Sequence, residues 1–193
     1  MDNNPGLKFF GSLVDLDLHI QDLKLILKKT EEITFSEHEE GESLIADVHP
    51  DITRKSFVVT LLIALDSQFS EYCDHLKKST NQKLKWNNLK GSALERFITY
   101  SEKVCGLNSV CNESTKQKLK GLIEIRNCIV HNNSCLDGFN KSAMVEQFAD
   151  QVPGITLENG IISLTVEACT LCADILVDFM AQAYHSALEK FPK

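Results

Sequence analysis

Leu164-Thr-Val-Glu-Ala-Cys-Thr-Leu-Cys-Ala-Asp-Ile-Leu-Val-Asp-Phe-Met-Ala-Gln-Ala-Tyr-His-Ser-Ala-Leu188 is the stretch that decides the fold class. Leu164, Ala168, Leu171, Ile175, Phe179, Ala183 and Leu188 recur at three- to five-residue steps, which places them along one stripe of a long helix. The same period recurs toward the N-terminus. Phe10, Leu13, Ile20, Leu23 and Leu27 describe a first amphipathic helix running to about residue 32. Leu61, Leu65, Phe69, Tyr72 and Leu76 describe a second over residues 53–78, with Thr53 as its cap. A third helix is expected over residues 92–104, stopped by Gly106, and a fourth over 113–131. One short segment breaks the pattern. Two β-leaning runs surround Glu158-Asn159-Gly160, and Asn-Gly is a strong hairpin signal because both residues tolerate positive φ. The expectation is an all-α bundle of about five main helices, forming one domain over residues 1–193, with a small hairpin at about 155–165 before the last helix.

Composition agrees with that class. The 193 residues include only 9 Gly and 4 Pro, too few for a fold with a turn every ten residues. The longest nearly uninterrupted apolar run, residues 57–65, falls far short of the roughly 20 that span a bilayer. The first ten residues, MDNNPGLKFF, do not read as a secretory signal. Seven scattered cysteines, an odd number, are then expected as reduced thiols in a cytoplasmic protein. Cys169 and Cys172 form a C-x-x-C, but within a helical pattern and without a second pair or a histidine at metal spacing. They read as core, and no metal or cofactor is expected.

Charge is uneven. The net charge is −7, and Glu31, Glu32, Glu37, Glu39, Glu40, Glu42, Asp47 and Asp51 occur in a stretch with no Lys or Arg. That stretch accounts for the whole negative balance. With Gly41 and Pro50 and few apolar residues, it reads as a solvated acidic loop at about 33–52. Residues 76–94 are its counterpart, with Lys77, Lys78, Lys83, Lys85 and Lys90 and no acid, and Lys116, Lys118 and Lys120 form a second basic cluster. Exposed charges beyond about 10 Å are largely screened, so these clusters can attract a polyanion although the molecule is acidic. Lys83, Lys85 and Lys118 are therefore candidate RNA contacts. Trp86, set among the lysines, reads as a partly buried anchor or as a platform for a base.

Chemistry concentrates on the fourth helix, in Leu122-Ile-Glu-Ile-Arg126-Asn127-Cys-Ile-Val-His131-Asn132-Asn133. An arginine, an asparagine and a histidine interrupt an otherwise apolar helix, where unpaired polar groups are expensive. Gly-rich phosphate loops, H-E-x-x-H and G-x-S-x-G are absent from the sequence. Arg126 and His131 are five residues apart, about 140° around an ideal helix, so they can flank a cleft without lying above one another. Asn127, four residues before His131, can orient the imidazole or a phosphate. The bland reading is a salt bridge from Arg126 to Glu124 or a neighbouring helix, with His131-Asn132-Asn133 as a C-terminal cap. Glu71, in the second helix, is a further acid that could pair with Arg126, although it reads more readily as an exposed or snorkelling glutamate.

Arg126-Asn127-Cys-Ile-Val-His131 resembles the R-x4–6-H motif of the HEPN superfamily of helical bundles, in its R-N-x-x-x-H form. The resemblance is close over about a dozen residues and loose over the helical layout. It implies a metal-independent endoribonuclease whose Arg126, His131 and Asn127 cut RNA through attack of its own 2′-OH. His131 would move protons near neutrality and Arg126 would hold the phosphate. It also implies a homodimer with a composite cleft and a defence or toxin–antitoxin setting with an inhibitory protein partner. The alternative implied is a catalytically silent RNA- or protein-binding module. Some members carry a modified tyrosine two residues after the histidine, where this chain has Asn133.

Overall fold

The computed structural model describes residues 4–36 and 43–192, and the side chains of all of these except 33–36 and 43–49. Among them are six α-helices: α1 (Pro5–Ser36), α2 (Ser43–Ser79), α3 (Ala93–Thr99), α4 (Glu113–His131), α5 (Ser142–Ala149) and α6 (Val166–Lys190). One antiparallel hairpin, β1 (Ile155–Glu158) and β2 (Ile161–Leu164), precedes α6. The helical class and the hairpin read from the sequence both hold. No helix among the described residues is long and apolar enough to cross a membrane.

Local chemistry sets several element ends. Ser92 caps α3 as part of a capping box, accepting from the Glu95 amide at 3.3 Å while the Glu95 carboxylate accepts from the Ser92 amide at 2.8 Å. The third helix does not continue to Val104 as ordinary α-helix. Tyr100–Val104 is a π-helical turn, closed by Cys105 N–H on the Tyr100 carbonyl. Gly106, at φ +70°, follows. The hairpin turns on Asn159 (φ +51°) and Gly160 (φ +75°), the pair of positive dihedrals that a two-residue loop between right-twisted strands requires.

The expected acidic loop is corrected. On one side α1 continues to Ser36 and on the other α2 begins at Ser43, ten residues before Thr53 and running through Pro50. Glu37, Glu39, Glu40 and Glu42 lie outside the described residues. Glu31 is no solvated loop acid. It is buried and receives Arg54 Nε at 2.9 Å and Nη2 at 2.6 Å, a two-pronged pair that satisfies the carboxylate within the protein. Asp51 pairs with Lys55 one turn on, at 2.7 Å. Helix α5 was not expected at all.

The chain forms two compact units. One consists of the described residues of Met1–Leu18, Ile63–Lys116 and Val177–Lys193. Its core is aromatic: the rings of Phe69 and Phe97 stack at 4.2 Å, and Tyr72 lies 5.1 Å from both Phe97 and Tyr184. The Tyr72 hydroxyl donates to the Ala183 carbonyl at 2.7 Å and Tyr184 to Gln68 at 2.8 Å, so both buried phenols are satisfied.

The other unit consists of the described residues of His19–Leu62 and Gln117–Leu176. Leu119, Leu122, Ile125 and Cys128 of α4 and Ile162 of the hairpin are fully buried, and Phe148 of α5 and Leu164 of the hairpin are buried beside them. Gly121 is where α4 comes closest to α5: a methyl group there would collide with the Phe148 ring. Cys169 and Cys172 are buried free thiols, in keeping with a packing role.

Candidate functional site

Helix α4 starts where Asn112 accepts a hydrogen bond from the Thr115 amide at 2.8 Å, and its buried face is set by the three-residue steps from Leu119 to Cys128. The remaining positions of its last turns carry the polar residues. Arg126 and Asn127 are half-buried, whereas Val130 and His131 are exposed. Among the described residues His131 makes no hydrogen bond or ion pair, so its imidazole is not consumed by the fold.

Arg126 and Asn127 are tied into a short network. Arg126 Nη1 donates to Asn127 Oδ1 at 3.2 Å, and Asn127 Nδ2 donates to Glu124 Oε2 at 3.2 Å. The second bond fixes which way the amide points and therefore presents its oxygen to the arginine. Glu124 is buried and its other oxygen accepts from Lys141 Nζ at 2.5 Å. Lys141 neutralises Glu124, and Asn127 passes an orientation from the carboxylate to the guanidinium. Arg126 is thus not paired directly with Glu124, and Asn127 contacts Arg126 rather than His131. The Arg126 Nε–H is buried and has no acceptor among the described residues. Arg126 Nη2, by contrast, makes no hydrogen bond among the described residues and is not sealed off, so the guanidinium still has donors for an anion.

The chain beyond His131 is held tightly. Asn132 Nδ2 donates to the carbonyls of Cys135 and Asp137, at 2.5 and 2.9 Å. Asn133 and Ser134 both adopt positive φ, +51° and +64°. The Leu136 amide donates to the Gly160 carbonyl at 2.8 Å and the Ile162 amide to the Ser134 carbonyl at 2.9 Å, lacing this segment to the hairpin.

Of the candidate RNA contacts, Lys118 is exposed on α4, eight residues before Arg126 and about 12 Å along the helix axis. Lys83 and Lys85 are exposed and belong to the other unit. Trp86 is not a free platform. The Arg96 guanidinium lies 5.3 Å over its ring, and Phe69 meets it edge-on. Glu71 is exposed, the commoner of the two readings: Ser12 Oγ donates to it at 2.5 Å and His75 Nε2 lies 3.4 Å away.

Lys141 is the member of the network that sequence reading missed. It stands 17 residues from Glu124, outside any helical period, and no local pattern marks it. Among the described residues no group of three or more His, Cys, Asp or Glu side chains is gathered to hold a metal ion. No protein-family model, curated protein or solved structure matches the chain.

Proposed function

We propose that the protein is a metal-independent endoribonuclease of the HEPN type, acting through the C-terminal turns of α4. The observation that carries this reading is the exposed His131 imidazole, with no partner among the described residues, on the same helix as a half-buried Arg126 whose Nη2 makes no hydrogen bond among them. Such a pair suits RNA, which supplies its own nucleophile. The 2′-OH attacks the adjacent phosphorus, its proton passes to a base, and the 5′-oxygen leaves with a proton from an acid. The products are a 2′,3′-cyclic phosphate and a 5′-OH. His131 moves the proton, and Arg126 donates to the phosphate oxygens as charge grows on them. Asn127 is a positioning residue that holds the guanidinium by one nitrogen. One chain supplies one imidazole, so acid and base together call for a homodimer whose two α4 ends share a cleft. A toxin–antitoxin or defence role with an inhibitory protein partner is the setting the family resemblance adds.

The test is cleavage of single-stranded RNA in EDTA. Wild-type protein should yield cyclic-phosphate ends, and Arg126→Ala and His131→Ala should each abolish them while leaving the helical content unchanged. Cutting that survives both substitutions, or that EDTA stops, overturns the assignment. The second reading, a silent RNA- or protein-binding module, is favoured by the Arg126–Asn127–Glu124–Lys141 chain, which also makes sense as a purely structural network. It requires binding without turnover.

A further inference from the structure

Helices α2 and α4 and the hairpin border a cleft of about 600 Å³, within the range of pockets that hold nucleoside-sized ligands. Its apolar walls are Ile52 and Val59 of α2, Ile129 of α4 and Ile161 of β2, of which Ile52 and Ile161 are open to solvent. Ser56 and Thr60 of α2 add hydroxyls, and Asn133 and Ser134 add an amide and a third hydroxyl just beyond α4. Lys55 also lines the cleft, but Asp51 holds its ammonium at 2.7 Å, so the site presents little net charge.

Ser134 is the informative residue. It is only 4% exposed, and its amide and carbonyl are used by Cys128 and Ile162. Its hydroxyl, by contrast, has no hydrogen-bond partner among the described residues. The hydroxyl is not sealed off: it lines the cleft, where it can donate to or accept from a ligand. The residue also sits at φ +64° directly after Asn133 at +51°, two successive non-glycine residues in a conformation that side chains disfavour. The backbone holds that strain while presenting one amide and one unmatched hydroxyl to an aliphatic slot.

We infer that this cleft is a nucleobase-binding pocket. A nucleobase is flat and apolar on its faces, suiting the isoleucine and valine walls, and carries donors and acceptors on its edge. An Asn side chain offers one of each, and a hydroxyl serves as either. The paired Lys55 and Asp51 argue against a ligand recognised chiefly by charge. Ile129 and Asn133 lie two residues on either side of His131, so a base seated here belongs to the strand cut at α4. That last step rests on the ribonuclease reading, whereas recognition of the base does not. The same chemistry would take a free nucleoside.

The experiment uses the full chain and two variants. Thr60→Phe fills the slot from an exposed position, and Ser134→Ala removes only the hydroxyl. Binding of adenosine, guanosine, cytidine and uridine is followed by saturation-transfer NMR. Binding of a single-stranded octaribonucleotide is followed on the His131→Ala protein and its double variants, and circular dichroism checks the fold. At least one nucleoside should bind, with affinity lost in Thr60→Phe and weakened about three- to tenfold in Ser134→Ala. Octamer binding that weakens in parallel assigns the pocket to the RNA strand, whereas unchanged octamer binding assigns it to a free nucleoside. Base binding without EDTA-resistant cleavage keeps the pocket and removes the ribonuclease reading. Folded variants that leave nucleoside binding, octamer binding and base preference of cleavage unchanged overturn the pocket, even where Arg126- and His131-dependent cleavage persists.

Discussion

Replacing Arg54 with alanine should destabilise the protein by about 4 kcal/mol. The guanidinium gives two charge-assisted hydrogen bonds to Glu31, and its Nη1 reaches the Leu164 carbonyl at 3.2 Å. The Glu31 side chain is only 9% exposed, so the discount that reduces a surface ion pair to about 0–1 kcal/mol does not apply. Removing one partner of a buried pair leaves the other charged and unpaired, at about 3–5 kcal/mol, and the lost carbonyl bond adds about 1 kcal/mol or less. Solvent reaching Glu31 through the space left by the arginine offsets part of this. With a urea slope of about 2 kcal/mol/M, a loss of about 4 kcal/mol moves the unfolding midpoint down by about 2 M. Glu31→Leu combined with Arg54→Met removes both charges and keeps apolar volume, and it should recover most of the loss. A single variant that shifts the midpoint by less than about 0.5 M refutes the reasoning. So does a double variant as weak as the single one.

Glu124→Gln keeps the shape of the residue but removes the charge that holds Lys141. Loss of about one hydrogen bond's worth of positioning at Asn127 should slow single-turnover RNA cleavage about fivefold, and an unchanged rate would remove Glu124 from the site. Gly121→Ala forces a methyl against Phe148 and should cost about 1–3 kcal/mol in denaturant unfolding; a neutral result would mean that α5 yields easily. Burial pushes the thiol of Cys169 up to about 12 and that of Cys111 up to about 11, and raises Cys73, Cys105, Cys128 and Cys172 as well. These thiols hold their protons more tightly folded than unfolded. Their contribution is therefore complete below about pH 9 and is lost as pH rises toward 11 and 12, so stability should fall over that window; a flat profile from pH 8 to 11 would contradict it. Thiol labelling of the native protein near neutrality should begin at half-buried Cys111 and Cys135, and fast reaction at Cys172 would show that α6 opens.

What was legible in the sequence was whatever local patterning controls. Helix α4 runs from Glu113 to His131 as its spacing indicates, because Asn112 caps one end and the Asn132–Ser134 turn closes the other. The hairpin was legible from Asn159-Gly160 alone. The acidic stretch misled because its helical partners are distant or locally unremarkable: Glu31 is neutralised by Arg54, 23 residues away, and Asp51 by Lys55. Helix α5 has only eight residues and no side-chain cap at Lys141, so neither period nor boundary marks it. At the candidate site the order Arg126, Asn127, His131 was readable, but the exposure of His131 was not. The role of Asn127 was not, because a helical position fixes direction but not which of two neighbours an amide will choose.

The hydrogen bonds from Leu136 to Gly160 and from Ile162 to Ser134 have a mechanical consequence. They clamp the hairpin tip to the segment that leaves α4, beginning three residues after His131. Pulling on the Asn159–Gly160 tip, with a crosslink or an antibody, should therefore load the segment from Ser134 to Leu136 first. Amide exchange at Leu136 and Ile162 would register that tension.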